Sequence, residues 1–305
     1  MKPIKSPAEE VDVKENRLLR LDVELLEILI SDNSSGRNII WAVDDYKKYG
    51  KGYSSRDVIT TDKITGKNGE IIKPRIKKTQ AEQKRRVQEK AEVFTPNHIC
   101  NKMNSLVDKK LDKSDWQNYV RKTWLEMACG EAPYIVSRYD TTTGKTIEIS
   151  KRIGFLDRKL QVINKNIEKT ADEAQWLKWV KIAFQNSYGF EWQGDNLIIA
   201  RENLLYTFID YYKDRFKAEP SIELLREFAE IIAWNIFQAD GLKGVVPMSC
   251  TDKVIYERNL VGETITEPCP GCKTGDNKKH TGVYVKLMDW ETGETTRLVD
   301  LKGGK

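Results

Sequence analysis

Three short apolar segments, each ending in glycine, acidic or amide residues, constrain the fold of this chain most strongly. They run from Thr123 to Cys129, from Ser187 to Trp192 and from Ile231 to Ile236. Helical periodicity fills the stretches between them, for example from Leu197 to Tyr212 and from Pro220 onward. Strands that alternate with helices predict an α/β fold with a doubly wound parallel sheet. Such sheets bind ligands at the carboxyl ends of their strands.

The composition indicates a folded protein with one large domain or two ordinary ones. The chain has 305 residues, of which 39% are hydrophobic, and this is enough to bury a real core. No apolar run approaches the ~20 residues of a membrane span, and no segment of signal-peptide type follows Met1. Five scattered cysteines favour a reducing compartment over a disulfide framework. We therefore expect a cytoplasmic protein with no membrane partner.

We expect three regions along the chain. Residues 1–90 form a helical and irregular N-terminal region that ends in a basic segment, 73–90. Residues 91–246 form the sheet-containing domain, with a helical insertion at about 141–186. Residues 247–305 carry a Cys-x-x-Cys sequence and a hydrophobic alternation between 282 and 301 that predicts a β-hairpin.

The net charge of +5 is concentrated in the basic segment. Residues 73–90 contain eight Lys or Arg against two Glu, so this segment alone carries +6 and the other 287 residues sum to −1. One interpretation is a solvated helix face with mixed surface charge. The other is a surface that neutralises nucleic-acid phosphates with salt-dependent affinity. The candidate DNA-binding residues are Lys77, Lys78, Lys84, Arg85 and Arg86.

Polar residues follow each of the three predicted strands. Glu126 to Pro133 combines an acidic residue with a small-residue turn, Glu191 ends the second strand, and an Asn235–Asp240 cluster follows the third. Taken singly, each is compatible with a structural turn, a surface charge or a helix cap. Together they predict polar groups at one edge of the sheet.

The order of these motifs resembles the first half of adenine-N6 DNA methyltransferases of restriction–modification systems. The resemblance covers about residues 90–244 and is closest to modification subunits and fused restriction–methylation enzymes. It implies a Rossmann-like S-adenosylmethionine-dependent methyltransferase sheet, with the N-terminal helical region and the C-terminal hairpin region as additions. The matching motifs are Phe94-Thr95-Pro96, Glu126-x-Ala128-Cys129-Gly130, Tyr188-Gly189-x-Glu191 with Ala200–Leu204 behind it, and Asn235-Ile236-x-Gln238-x-Asp240.

The resemblance also implies a role for each motif. The Phe-Thr-Pro motif would cap the methionine end of S-adenosylmethionine, and the glutamate and glycine of the second motif would form the wall and turn beside it. The glutamate of the third motif would hold the ribose, and the aspartate of the last would bond the adenine amino group. The candidate cofactor-binding residues are Phe94, Thr95, Pro96, Glu126, Cys129, Gly130, Glu191 and Asp240.

The chain departs from the family pattern in its turn and in its catalytic motif. The family usually has Asp-Pro-x-Cys-Gly-Ser-Gly, and here Ala132 replaces the last glycine, where an unusual backbone angle costs more. The Asn- or Asp-Pro-Pro-aromatic motif that holds a flipped adenine is missing, because the sequence has no Pro-Pro pair. The catalytic residues are therefore unknown.

These departures leave three interpretations. The first is the modification subunit of a restriction–modification system that binds S-adenosylmethionine and DNA, with a partner subunit supplying base recognition. The second is a catalytically inactive methyltransferase-like module that binds DNA or a partner in phage defence. The third is a methyltransferase with a non-standard base site at Asn235–Asp240, or one that acts on RNA.

Cysteine spacing raises a separate question in the C-terminal region. Cys269 and Cys272 enclose a Pro-Gly turn, and two thiolates at this spacing can chelate one zinc ion. Cys250 and His280 could complete four ligands. The alternatives are a turn without metal and a redox pair of cysteines.

Overall fold

The computed structural model describes residues 15–168, 172–256 and 265–301, so the ends of the predicted N-terminal and C-terminal regions lie outside the described residues. The fold is mixed α/β and about half helical. The helices are α1 (Glu15–Leu21), α2 (Val23–Ile30), α3 (Thr61–Ile64), α4 (Gln80–Lys90), α5 (Asn97–Asp108), α6 (Trp116–Arg121), α7 (Phe155–Asn166), α8 (Glu173–Gln185), α9 (Gly194–Phe216), α10 (Ile222–Asn235), α11 (Pro270–Thr274) and α12 (Leu298–Leu301). The strands are β1 (Ser31–Asp32), β2 (Arg37–Asn38), β3 (Trp124–Met127), β4 (Ser187–Glu191), β5 (Ile236–Gln238), β6 (Lys253–Tyr256), β7 (Ile265–Glu267), β8 (Lys286–Met288) and β9 (Thr295–Arg297).

A small parallel sheet of β3, β4 and β5 lies at the centre, with the strands in that order. Two helices join β3 to β4 and two join β4 to β5, so the predicted α/β alternation is confirmed. The broader Rossmann-like sheet is not seen in the described residues, because the remaining strands pair antiparallel in separate two-stranded ribbons.

The predicted position of the third strand is wrong. Residues 231–235 are the last turn of α10, and β5 begins only at Ile236. Ser221 caps the N-terminus of this helix, accepting a hydrogen bond from Leu224 N. The buried residues of α10 keep a helical spacing through Ile231 and Ile232, so the apolar run continues the helix instead of starting a strand.

The main core extends from Leu18 to Ile236 and therefore includes the N-terminal region. Helix α9 is buried over most of its 23 residues, and its Phe208 stacks on Phe228 of α10 with ring centroids 3.7 Å apart. Helix α10 packs against α2 on its other side. The helical insertion is formed by α7 and α8, which contribute Leu160 and Trp176, respectively, to the same core.

A buried arginine fixes how these helices meet the sheet. Arg201 of α9 is fully buried, and its guanidinium donates to the backbone oxygens of Leu29, Ser31, Ala233 and Ile236 at 2.7–3.0 Å. These oxygens lie at the carboxyl ends of α2 and α10 and at the start of β5, where helix carbonyls lack intrahelical partners. One side chain therefore satisfies carbonyl groups at the ends of two helices and at the start of one strand.

The C-terminal region packs on one face of the sheet around a second, smaller core. That core consists of Phe237, Ala239, Val246, Val285 and Leu298, with Tyr188 and Phe190 of β4 against it. The predicted hairpin is confirmed as β8 and β9, which pair antiparallel between Lys286 and Arg297. The last residues of the predicted hairpin form α12 instead of continuing the strand.

Within the described residues, we find no helix with the length and apolar character that crossing a membrane requires.

Candidate functional site

A cavity of about 360 Å³ opens at the carboxyl ends of β3 and β4. Six of the eight candidate cofactor-binding residues line it, although they come from three distant parts of the sequence: Phe94, Thr95, Glu126, Cys129, Gly130 and Glu191. The structure therefore brings the first three motifs of the sequence pattern to one place. This is the position at which open α/β sheets bind small ligands.

The side chain of Glu191 fixes the conformation of the backbone that lines the cavity. Its Oε2 accepts a hydrogen bond from Gly130 N at 2.7 Å, and its Oε1 accepts from Trp192 N at 2.9 Å and from Gln193 N at 3.1 Å. The turn after β3 is thereby fastened to the end of β4. A single carboxylate satisfies three backbone donors that the strand ends leave without partners.

The turn after β3 has an unusual backbone. Ala128, Gly130 and Ala132 all adopt the left-handed region, with φ of +51°, +54° and +63°. Glycine adopts these angles without cost, whereas alanine there costs roughly 1–2 kcal/mol. The sequence expectation that Ala132 stands at a costly angle is thus met, and Ala128 adds a second such position.

Two carboxylates in the cavity resist ionisation. Glu126 accepts hydrogen bonds from Tyr134 N at 3.4 Å and Ile135 N at 3.2 Å, but withdrawal from water raises its pKa well above the ordinary value. Burial likewise raises the pKa of Glu191. The nearby charge of Glu191 raises the pKa of Glu126 further. A cationic ligand would relieve this by favouring both ionised forms.

Sequence reasoning missed Asn196, which also lines the cavity. Its Nδ2 donates to Glu92 Oε2 at 3.2 Å, while its buried Oδ1 has no hydrogen-bond donor among the described residues. Buried acceptors are normally satisfied, so this oxygen is an exception at the wall of the cavity. The signal was present in the sequence, where Asn196 follows Gly194-Asp195 shortly after the third motif.

Two candidate cofactor-binding residues do not line this cavity. Pro96 forms the N-terminal boundary of α5. Asp240 follows β5 and caps its own turn, because its Oδ1 accepts from Leu242 N and Lys243 N, both at 3.1 Å. The carboxylate of Asp240, which the resemblance assigned to the adenine amino group, therefore accepts hydrogen bonds from its own turn instead.

The basic segment is engaged mainly with the protein itself. Arg86 is buried and donates to Asp45 at 2.8 Å, Glu92 at 2.7 Å and Asp195 at 2.9 Å. Lys78 also bonds Asp195, at 3.1 Å, and Arg85 bonds Asp45 at 2.6 Å.

This arrangement corrects the interpretation of the segment as one DNA-facing surface. Lys78, Arg85 and Arg86 form ion pairs with four carboxylates, and the side chains of Lys78 and Arg86 are buried. Only Lys77 and Lys84 of the five candidates are exposed. The sequence could not show this, because Asp45 and Asp195 lie about 40 and 110 residues away from Arg86.

An apolar surface lies beside the cavity. Strand β3 is an edge strand with no partner on its outer side among the described residues, and its Leu125 and Met127 are 47% and 73% exposed. Their β4 neighbours on the same face, Tyr188 and Phe190, are covered by the C-terminal region. Helix α5 adds further exposed apolar residues at helical spacing, namely Ile99, Met103, Leu106 and Val107.

The second candidate site is a Cys3His group in the C-terminal region. The ligand atoms of Cys250, Cys269, Cys272 and His280 all lie within 4.8 Å of one another, so the group could hold a metal ion. The structure therefore brings together all four residues that the sequence nominated.

Comparison with protein-family models, with curated proteins and with solved structures finds no match to this chain. The geometry of the two sites therefore carries the functional argument.

The Arg86 cluster generates a prediction about stability. Burial opposes ionisation of Asp195, but Arg86 and Lys78 hold its pKa well below the ordinary value. Replacing Arg86 with Ala leaves buried carboxylates without their counter-charge, so the free energy of unfolding should fall by about 3–5 kcal/mol. Lys84→Ala, on the exposed side of the same helix, should change it by about 0.5 kcal/mol or less. Urea denaturation at neutral pH measures both, and equal small losses would contradict the assignment of Arg86 as a structural residue.

Proposed function

We propose that this chain is the S-adenosylmethionine-binding modification subunit of a DNA restriction–modification system, directed at adenine N6. The observation that carries the proposal is the cavity itself, which gathers Phe94, Glu126, Gly130 and Glu191 at the carboxyl edge of a parallel sheet. These residues belong to three motifs whose order resembles that of adenine-N6 DNA methyltransferases. No single motif predicts the others, so their convergence supports the resemblance.

The cavity fits this cofactor in size and charge. Its volume of about 360 Å³ lies within the range of small-molecule sites. The two carboxylates suit a cationic sulfonium and ammonium ligand and would repel the phosphates of a dinucleotide. The unpartnered Oδ1 of Asn196 offers an acceptor for a ligand hydroxyl or amino group.

S-adenosylmethionine supplies an electrophilic methyl group when it is bound. The residues of this chain would bind and orient it. Glu191 would accept a hydrogen bond from a ribose hydroxyl with the one lone pair of Oε2 that its three backbone donors leave free, and Glu126 would face the methionine end. Phe94, whose ring lies under the Arg75 guanidinium at 5.2 Å, would pack on the same end and exclude water.

We propose that a partner chain completes the enzyme. This chain lacks the Asn- or Asp-Pro-Pro-aromatic motif, and within the described part of the chain the parallel sheet ends at β3. Parallel sheets are normally covered on both faces, yet Leu125 and Met127 are exposed beside an unpaired strand edge. A strand of the partner would pair there and bring a base-binding motif close to the cavity. The exposed Lys77 and Lys84 remain available for DNA phosphates.

A zinc ion held by the Cys3His group would have a structural role in this function. The four protein ligands would fill every position of a tetrahedral ion and leave none for substrate.

A catalytically inactive module that binds DNA or a partner in phage defence is the alternative function. The observation that favours it is the backbone after β3, where alanine stands at two left-handed positions, Ala128 and Ala132, and the second of these is glycine in the family pattern. Cofactor binding and methyl transfer distinguish the two proposals.

Methyl transfer tests the enzyme proposal. We expect purified chain alone to transfer little radioactive methyl group from S-adenosylmethionine to adenine-containing DNA, because the base-binding motif is missing. Addition of the product of the neighbouring gene should raise transfer at least tenfold. Met127→Lys should abolish this gain while leaving cofactor binding intact, and Lys113→Ala serves as the matched surface control. Absence of transfer under all conditions, with normal cofactor binding, would favour the inactive module.

The raised pKa of Glu126 predicts how cofactor affinity depends on pH. The free protein holds this carboxyl protonated above its ordinary value of about 4.5, and a cationic ligand requires it ionised. Affinity should therefore rise with pH above 4.5, by up to about tenfold per pH unit until the raised pKa is passed. Glu126→Gln should weaken binding and flatten this dependence. Quenching of Trp192 fluorescence at the cavity provides the measurement, and an equal slope in both proteins would contradict the assigned role of Glu126.

A further inference from the structure

The four side chains of the Cys3His group surround one point. Nδ1 of His280 lies 3.6 Å from Sγ of Cys250, 3.5 Å from Sγ of Cys269 and 3.7 Å from Sγ of Cys272. The three sulfurs come from two segments that the β6–β7 ribbon joins, and the histidine follows 11 residues after Cys269.

Hydrogen bonding does not account for this geometry. A neutral imidazole Nδ1 has either one proton or one lone pair, so it can form one good bond with a thiol and not three equal ones. Tetrahedral zinc does account for it. Zn–S bonds of about 2.3 Å and a Zn–N bond of about 2.05 Å place nitrogen and sulfur about 3.6 Å apart. All three observed distances agree with that value within 0.1 Å.

We propose that Cys250, Cys269, Cys272 and His280 bind one Zn²⁺ ion in a closed tetrahedral site. The proposal is independent of the cofactor cavity, because it rests on the C-terminal region alone. Three thiolates and one imidazole are ligands that select zinc over magnesium, calcium or manganese.

The surroundings of the four ligands support a built metal site. The backbone N–H of Thr281 donates to Sγ of Cys269 at 3.2 Å, which orients the sulfur as outer-shell partners do. A Cβ atom on Gly271 would stand only 2.6 Å from Nδ1 of His280, so the Cys-Pro-Gly-Cys turn requires glycine for the histidine to approach.

The ion would stabilise the C-terminal region, which has only a small hydrophobic core of its own. Strands β6 to β9 are only three or four residues long, and the second core contains five buried apolar residues. Small units of this kind commonly need a metal or disulfide to stay folded. The site joins the segment after β5, through Cys250, to α11 and the start of the hairpin, so it would hold the C-terminal region over Tyr188 and Phe190 of the sheet.

Metal analysis of the unmodified protein tests the proposal without any substitution. Protein purified under reducing conditions without chelator, or refolded with Zn²⁺, should contain one zinc per chain by mass spectrometry. Replacement by Co²⁺ should give thiolate-to-cobalt charge-transfer bands and the strong d–d absorption of a tetrahedral ion. No bound metal after refolding with Zn²⁺, iron in place of zinc, or a disulfide between Cys269 and Cys272 would overturn the proposal.

Two matched variants assign the ligands. Cys272 is the most exposed of the three cysteines, so Cys272→Ser should fold and yet lose zinc to a mild chelator at least about 100-fold faster than wild type. Cys100→Ser, a cysteine outside the group, should keep one zinc per chain. Limited proteolysis should then cut the Cys272→Ser protein selectively after residue 247. Equal zinc retention in both variants would contradict the ligand assignment.

Discussion

The candidate cofactor site depends on the backbone hydrogen bonds that the carboxylate of Glu191 accepts. It accepts three backbone hydrogen bonds, one from the turn after β3 and two from the segment that enters α9. The same group therefore sets the shape of the cavity and supplies one of its two acidic side chains. Because the turn contains two alanines with left-handed backbone angles, it needs such an external tie to keep its conformation. The backbone of the turn is therefore strained, and the buried side chain of Glu191 stabilises it.

The sequence predicted which parts of the chain meet at this edge but not every boundary. Motifs placed directly after strands converge because parallel strands end on one side of a sheet. The third strand was misplaced because Ile231 and Ile232 are equally apolar in a buried helix and in a buried strand. Asp240 was assigned to the ligand, whereas its own turn takes its carboxylate.

The function of the basic segment 73–90 was also ambiguous from the sequence, for a different reason. A run of basic residues suggests a nucleic-acid surface, but its partners are set by tertiary contacts that composition does not contain. Asp45 and Asp195 neutralise much of the run and anchor α4 to the start of α9. By contrast, the four residues nominated around the Cys-Pro-Gly-Cys turn do lie together, so the group could hold a metal ion.

Calorimetric titration of the unmodified chain with S-adenosylmethionine tests most directly whether the cavity at β3 and β4 binds this cofactor, as we propose. We predict one binding site per chain, with affinity weakened at least tenfold by Glu191→Ala and changed little by Lys84→Ala. Binding heat that is absent from the folded wild-type chain, or that is unchanged in Glu191→Ala, would contradict the account.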